Sequence, residues 1–207
     1  KISKLVRNQY EENPYPRWRY ANINPKVNFS FELNSDISPN KIFIKNDLIN
    51  TKTLIAGCGT GQQLARRIDY KGSSVLAVDL SISSLAFAKR KMQELNINNI
   101  EFLHLDLLKL ENLKQKFDII ECVGVLHHLE DPELGLKVLL NILKPNGFLK
   151  LGLYSELARK HIIEARKIIK NNNFSNNIDD IRNFREMIKN NNNNSFQKLN
   201  LNFDFHT

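Results

Sequence analysis

Three glycines at alternate positions, Gly57, Gly59 and Gly61, follow the apolar run Thr53–Ala56 and lead into the helix-forming residues Gln62–Arg67. A strand that runs into glycines and then into a helix makes a cradle for a nucleotide-type ligand. Glycine lets the backbone approach a ligand closely, and a helix start presents free N–H groups. A glycine triplet alone is a weak signal. Here a second strand ends in Asp79, roughly 20 residues on, the spacing at which a carboxylate reaches ribose hydroxyls. The pairing makes the signal strong.

These residues need a scaffold, and the pattern supplies one between Thr53 and Tyr154. Strands are predicted at Thr53–Ala56, Ser74–Asp79, Ile100–His104, Phe117–Val123 and Phe148–Tyr154, with helices beginning near Thr60, Ser81 and Asp131. Asp131-Pro132 reads as an N-cap followed by proline at the first helical position, and Lys144-Pro145-Asn146-Gly147 as a stop and tight turn. Such alternation predicts an α/β fold, a parallel Rossmann-like doubly wound sheet with helices on both faces.

Outside that core, residues 1–50 read as a lead-in. A helix is predicted over Lys1–Glu12 with Ile2, Leu5, Val6 and Gln9 on one face, then an extended path at Asn13–Trp18, and another helix near Lys41–Leu48. Residues 155–207 read as an Asn-rich helical extension with helices at Glu156–Lys170 and around Ile178–Lys189.

The chain has 207 residues and a formal charge of +8, with 25% charged residues, which fits one globular domain. Its lysines and arginines are scattered, with mild clusters at Lys1–Arg19 and Arg159–Lys170, and no basic stretch is interleaved with aromatics. That argues against a nucleic-acid partner. No apolar stretch approaches the roughly 20 residues of a membrane span, so no membrane association is expected. Cys58 and Cys122 fall inside predicted core elements, which argues against a disulfide framework and makes a cytoplasmic location the default. No metal-ligand spacing stands out.

The chain resembles the class I S-adenosylmethionine-dependent methyltransferases of the small-molecule type. The matching segments are Ala56-Gly57-Cys58-Gly59-Thr60-Gly61, Val78-Asp79-Leu80-Ser81, His104-Leu105-Asp106-Leu107, Phe117–Leu129 and Leu143-Lys144-Pro145-Asn146-Gly147, five motifs in family order. The opening Gln9–Trp18, with its Asn-Pro-Tyr-Pro-Arg-Trp run, resembles a bacterial subgroup of that family.

The resemblance implies S-adenosyl-L-methionine as cofactor and a small-molecule methyl acceptor. It places the methionine end of the cofactor against Gly57, Cys58, Gly59 and Gly61, and the ribose hydroxyls on Asp79. Leu80 and Ile82 would wall the adenine, with Asp106 and Leu107 at its amino edge. Gly124 would leave room for the reacting methyl group. Each role has a plainer competitor: Asp79 as an N-cap, Asp106 as a solvated loop carboxylate, and Cys122 as a small core residue.

His128 is the candidate general base, with packing at a helix start as its alternative. Tyr10, Tyr15, Arg17 and Trp18 form an aromatic and basic cluster, read equally well as a lid over cofactor and acceptor or as an anchor for the lead-in. One position departs from the family pattern: Ile55 stands where many members carry an acid that holds the methionine ammonium. Glu121 or backbone carbonyls are the expected substitutes.

The family's C-terminal antiparallel hairpin is not evident after the fifth strand and the chain opens on Lys1, so a fragment, or a gene truncated at both ends, is expected. Its fifth strand would then offer an exposed edge for a homodimer. A catalytically degenerate binding protein is the second reading. A nicotinamide-dependent oxidoreductase is the third, against which the glycine spacing and the histidine motif both count.

Overall fold

The computed structural model describes residues 2–20, 29–44, 50–66, 73–190 and 194–200. Lys1, Arg67, the 45–48 half of the expected helix at Lys41–Leu48 and the end Phe203–Thr207 lie outside them. The described chain forms two compact units, divided between Leu153 and Tyr154.

The first unit is built on five strands, β1 Lys52–Ala56, β2 Ser74–Asp79, β3 Ile100–His104, β4 Phe117–Val123 and β5 Leu143–Gly152, in the order β3-β2-β1-β4-β5. Every neighbouring pair is parallel. β1, β2 and β4 are near-continuous apolar runs because both of their faces are covered. On one face Leu54, Val78, Ile120 and Cys122 meet Leu110, Leu139 and Ile142, the last two from the helix α5, Pro132–Ile142. On the other, Ile55, Val75 and Ala77 meet Leu64 of α3 (Gln62–Arg66) and Leu85 and Met92 of α4 (Ile82–Glu94). This is the doubly wound arrangement.

Several elements depart from expectation. β5 begins at Leu143 and ends at Gly152, because the Lys144–Gly147 turn is absorbed into the strand. Between the pairs Phe117↔Leu143 and Ile119↔Phe148 the register jumps, and residues 144–147 bulge out with Asn146 at φ 61. Lys144 Nζ holds the bulge by donating to both carboxylate oxygens of Asp118, at 2.9 and 2.8 Å.

A helix that the sequence pattern does not predict, α2 (Phe29–Asp36), sets Leu33 against Ile119 and Phe148. Its apolar residues at 29, 31 and 33 alternate like a strand, which hides it in the sequence. Lys41–Ile44 is non-helical: the Asn34 side chain accepts from Ile42 N at 2.8 Å and donates to Ile42 O at 3.1 Å, holding that segment extended. Short 3-10 helices at Leu107–Leu113 and Leu126–His128 complete this unit.

The second unit contains α6 (Lys160–Asn171), α7 (Ile178–Lys189) and α8 (Asn194–Asn200) around Ala165, Ile188, Phe196 and Leu199. A turn over 156–159 delays α6, and α8 begins inside the second Asn tract, where no helix is expected. Among the described residues no strand follows β5.

The N-terminal helix α1 (Ile2–Glu12) leads into a strap at 13–20. Leu5, expected on the buried face of α1, is 68% exposed. Trp18 is 7% exposed instead, packed in the α3–α4 side of the core and edge-on to Phe87 at 6.1 Å. Its indole Nε1 donates to Thr60 O at 3.1 Å, while Thr60 Oγ1 donates to Pro16 O at 2.6 Å. The Trp18→Ala variant is expected to lose about 3–5 kcal/mol of stability. Trp18→Phe, which keeps a ring and loses one hydrogen bond, should lose less, and urea unfolding followed by circular dichroism measures both.

Candidate functional site

Parallel strands end at one edge, so the segments after β1, β2, β3 and β4 gather there. These are Gly57–Gly61, Leu80–Ser81, Leu105–Leu107 and Gly124–His128. The strand order reverses between β1 and β4, and the crevice at such a switch point is where open α/β sheets bind ligands.

The turn after β1 is shaped by glycine at three positive-φ positions, Gly57 (φ 80), Gly59 (φ 52) and Gly61 (φ 80). Each has a neighbour in the protein itself. A Cβ on Gly57 would fall 2.2 Å from Val125 Cγ2, one on Gly61 2.8 Å from Ala88 Cβ, and one on Gly59 3.2 Å from Tyr15 O. Four of the turn's N–H groups are also engaged internally. Gly57 N and Cys58 N donate to Val78 O at 2.8 and 3.0 Å, Gly61 N to Cys58 O at 2.9 Å, and Gly59 N to Asp79 Oδ2 at 2.7 Å. The turn therefore offers a ligand shape more than donors.

Asp79 occupies the centre. One carboxylate oxygen accepts from Gly59 N and the other from Ser81 N at 2.9 Å. Each oxygen has a second lone pair for a further donor. Burial pushes its carboxyl above the usual aspartate range against the lowering effect of the Ser81, Gly59 and Leu80 N–H groups, and Glu11 pushes it the same way as burial. The N-cap of α4 is Ser81, whose Oγ accepts from Ser84 N at 3.0 Å, so Asp79 braces the turn from outside the helix.

Leu105 N donates to Asp79 O at 3.2 Å and brings the β3 loop alongside. Asp106 caps the 3-10 helix there, accepting from Leu108 N at 3.0 Å, and Leu107 sends its side chain into the core. Leu80 is half-buried and Ile82 is 58% exposed.

On the β4 side, Gly124 has φ 75, and a Cβ added there would meet nothing within 4 Å, so it faces open space. Glu121 is 2% exposed, in register with Ile55 of β1 and Lys150 of β5. The His128 ring lies 4.4 Å from that of His127 and edge-on to Tyr10 at 6.3 Å. Burial pushes the Cys122 thiol up to about 12 and the Cys58 thiol well above its usual value, so both stay protonated core residues. The Cys58 thiol donates to Gly59 O at 3.7 Å, within the turn.

The strap residues divide: Trp18 is buried as an anchor, whereas Tyr15 and Arg17 are exposed and Tyr10 meets His128. Sequence reasoning missed Glu11, whose carboxylate accepts from Ile82 N at 2.7 Å and Ser83 N at 3.0 Å. No local pattern announces a contact across 71 residues. Thr60, which clamps the strap, and Val125, which fills the space beside Gly57, were missed for the same reason.

Residues 54–149 match the family model described as a methyltransferase domain. This segment resembles the core of the class I S-adenosylmethionine-dependent methyltransferases. An uncharacterised Synechococcus protein is 38% identical over 120 residues, 57% of this chain and 29% of that protein. A ubiquinone biosynthesis O-methyltransferase of Acinetobacter baumannii is 30% identical over 101 residues, 48% of this chain and 42% of that enzyme.

Among solved structures, PKMT2 from Rickettsia typhi in complex with AdoHcy superposes with a TM-score of 0.63 at 26% identity, covering 85% of this chain and 34% of that one. The chain thus spans less than half the length of each of these three relatives. Among the described residues no helix is long and apolar enough to cross a membrane.

The surroundings of the cradle's glycines make them unequal. Gly57→Ala should lose about 2 kcal/mol or more from φ strain and overpacking on Val125 together. Gly124→Ala, with strain alone, should lose about 1–2 kcal/mol. Thermal or urea unfolding of the two variants side by side checks the order.

Proposed function

We propose that this chain binds S-adenosyl-L-methionine at the β1–β2–β4 edge and directs methyl transfer to a small-molecule acceptor. The observation that carries the reading is Asp79, a partly buried carboxylate at the end of β2 whose two oxygens each accept one backbone N–H and keep a lone pair. A vicinal diol supplies two donors at matching separation. The residues fit the cofactor in chemistry as well: an acceptor-only carboxylate for ribose, a turn with glycine at three positions beside it, and open space at Gly124.

The cofactor supplies an electrophilic methyl group on a sulfonium, already activated toward a nucleophile. The chain's residues then have three tasks. Asp79, Leu80 and Asp106 hold the nucleoside, and Glu121 takes the ammonium that Ile55 cannot hold. Gly57–Gly61 and the strap exclude water from one side. Tyr10 and His128 line the acceptor side, where His128 accepts a proton if the acceptor carries one. Alignment of acceptor and methyl group is the main contribution, worth about 7–11 kcal/mol when near-attack geometry is reached. The small-molecule assignment is supported by likeness to the ubiquinone-pathway O-methyltransferase.

Calorimetric titration tests the reading. S-adenosylhomocysteine should bind with micromolar affinity and NADH should not. Binding of NADH alone would turn the reading toward the nicotinamide enzymes, and silence with both would remove it. Asp79→Asn should weaken binding by about 10–100-fold, the worth of hydrogen bonds to a charged acceptor. Glu121→Gln should weaken it by about tenfold through the ammonium contact.

A pH series adds an independent check. Because Asp79 takes up its proton above the usual aspartate range, affinity should already fall as pH drops toward that range, while Glu11, held below its own usual range by its Ser83 bonds, stays ionised. In Asp79→Asn that dependence should vanish.

A further inference from the structure

The segment from Tyr10 to Trp18 touches the loops after β1, β2 and β4 that build the cradle. Tyr10's ring meets His128 after β4. Tyr10 O accepts from Ser81 Oγ at 3.1 Å, and Glu11 takes the N–H groups of Ile82 and Ser83 at the start of α4, after β2. Tyr15 O stands over Gly59 and Pro16 O accepts from Thr60, after β1. A ligand lying between Gly57–Gly61, Asp79 and Gly124 is therefore roofed by this segment.

Its two ends are attached by different physics. The Trp18 end is fixed by burial: the indole is 7% exposed and Thr60 is 0% exposed. The α1 end is held by polar contacts. Among the described residues none of 4–12 belongs to an apolar core cluster, and Leu5 faces solvent. Asn13-Pro14 lies between the two ends, where proline ends the helix. A segment anchored at one end and tied by charge at the other opens at the tied end.

We propose that Glu11 is a positioning residue that latches the last turn of α1 across the cradle, and that the cofactor enters and leaves when Glu11 releases α4. This rests on the reading of the cradle as the cofactor site. The carboxylate is suited to the role. It supplies two acceptors to the two N–H groups, it lies at the positive end of the α4 dipole, and water replaces it at little cost when it swings out. Latching also sets Tyr10 against His128, so the same contact closes the acceptor side.

The test measures association and dissociation rates of S-adenosylhomocysteine by stopped-flow fluorescence of Trp18, the one tryptophan of the chain, in native, E11A, E11Q and E11D forms. A companion experiment follows hydrogen exchange of the α1 amides without ligand. In E11A both rates should rise by about tenfold or more while the equilibrium constant changes by less than about threefold, and α1 exchange should quicken. E11Q, with one acceptor left, should fall between, and E11D should recover part of the native rates.

Unchanged rates in E11A would overturn the latch, as would loss of affinity through faster dissociation alone. Unchanged α1 exchange would overturn it whether or not ligand binds. Absence of binding by the native chain would instead sink the cofactor reading, and the exchange experiment would still decide whether Glu11 holds α1.

Discussion

The Asp79 carboxylate ties together parts of the chain that lie far apart in sequence. It grips the glycine turn through Gly59 N and the entry to α4 through Ser81 N, while its backbone oxygen holds Leu105 after β3. Burial outweighs these hydrogen bonds, so its folded-state carboxyl ionises less readily than in the unfolded chain. For such a group the sign is plain: stability is gained as pH falls through the raised value, and the ionised form is carried at a cost at neutral pH. On the proposed reading, the ribose hydroxyls are the donors that this carboxylate meets.

That constraint explains which parts of the site could be read from sequence. Gly57, Gly59, Gly61 and Asp79 announce themselves by local spacing, and the bounds of β2, β3 and β4 follow from apolar runs whose ends coincide with turn residues. What spacing did not disclose is why each glycine is needed. Val125, Tyr15 and Ala88 press on them from elements that only the fold brings near. The same limit hid Glu11 on α4 and Asn34 on Ile42. α2 was hidden differently, by an alternation of apolar residues that imitates a strand until Leu33 finds Ile119.

The aromatic and basic lead-in shows how one cluster can satisfy two readings at once. Trp18 anchors it, through burial and through Thr60, which donates to the strap with its hydroxyl and accepts from it with its carbonyl. Tyr10 and Glu11 remain at the cradle, held by polar contacts. Sequence types could not apportion these roles, because aromatic residues serve equally in cores and at ligand sites. Only the position of each ring relative to the sheet separates them.

Position relative to the sheet also bears on Ile55, where a motif-by-motif comparison sees a missing acid. In a parallel sheet, residues in register on adjacent strands send their side chains to the same face, about 4.8 Å apart. Ile55, Glu121 and Lys150 form one such row across β1, β4 and β5, and Lys150 is joined to Asp36 on its far side. A carboxylate therefore persists on the face where β1 lacks one, displaced by a single strand toward the loop of Gly124 and His128. Glutamate's extra methylene gives it reach along that row. On the proposed reading, Glu121 takes the ammonium of the cofactor, and Ile55 is free to be apolar because its neighbour carries the charge.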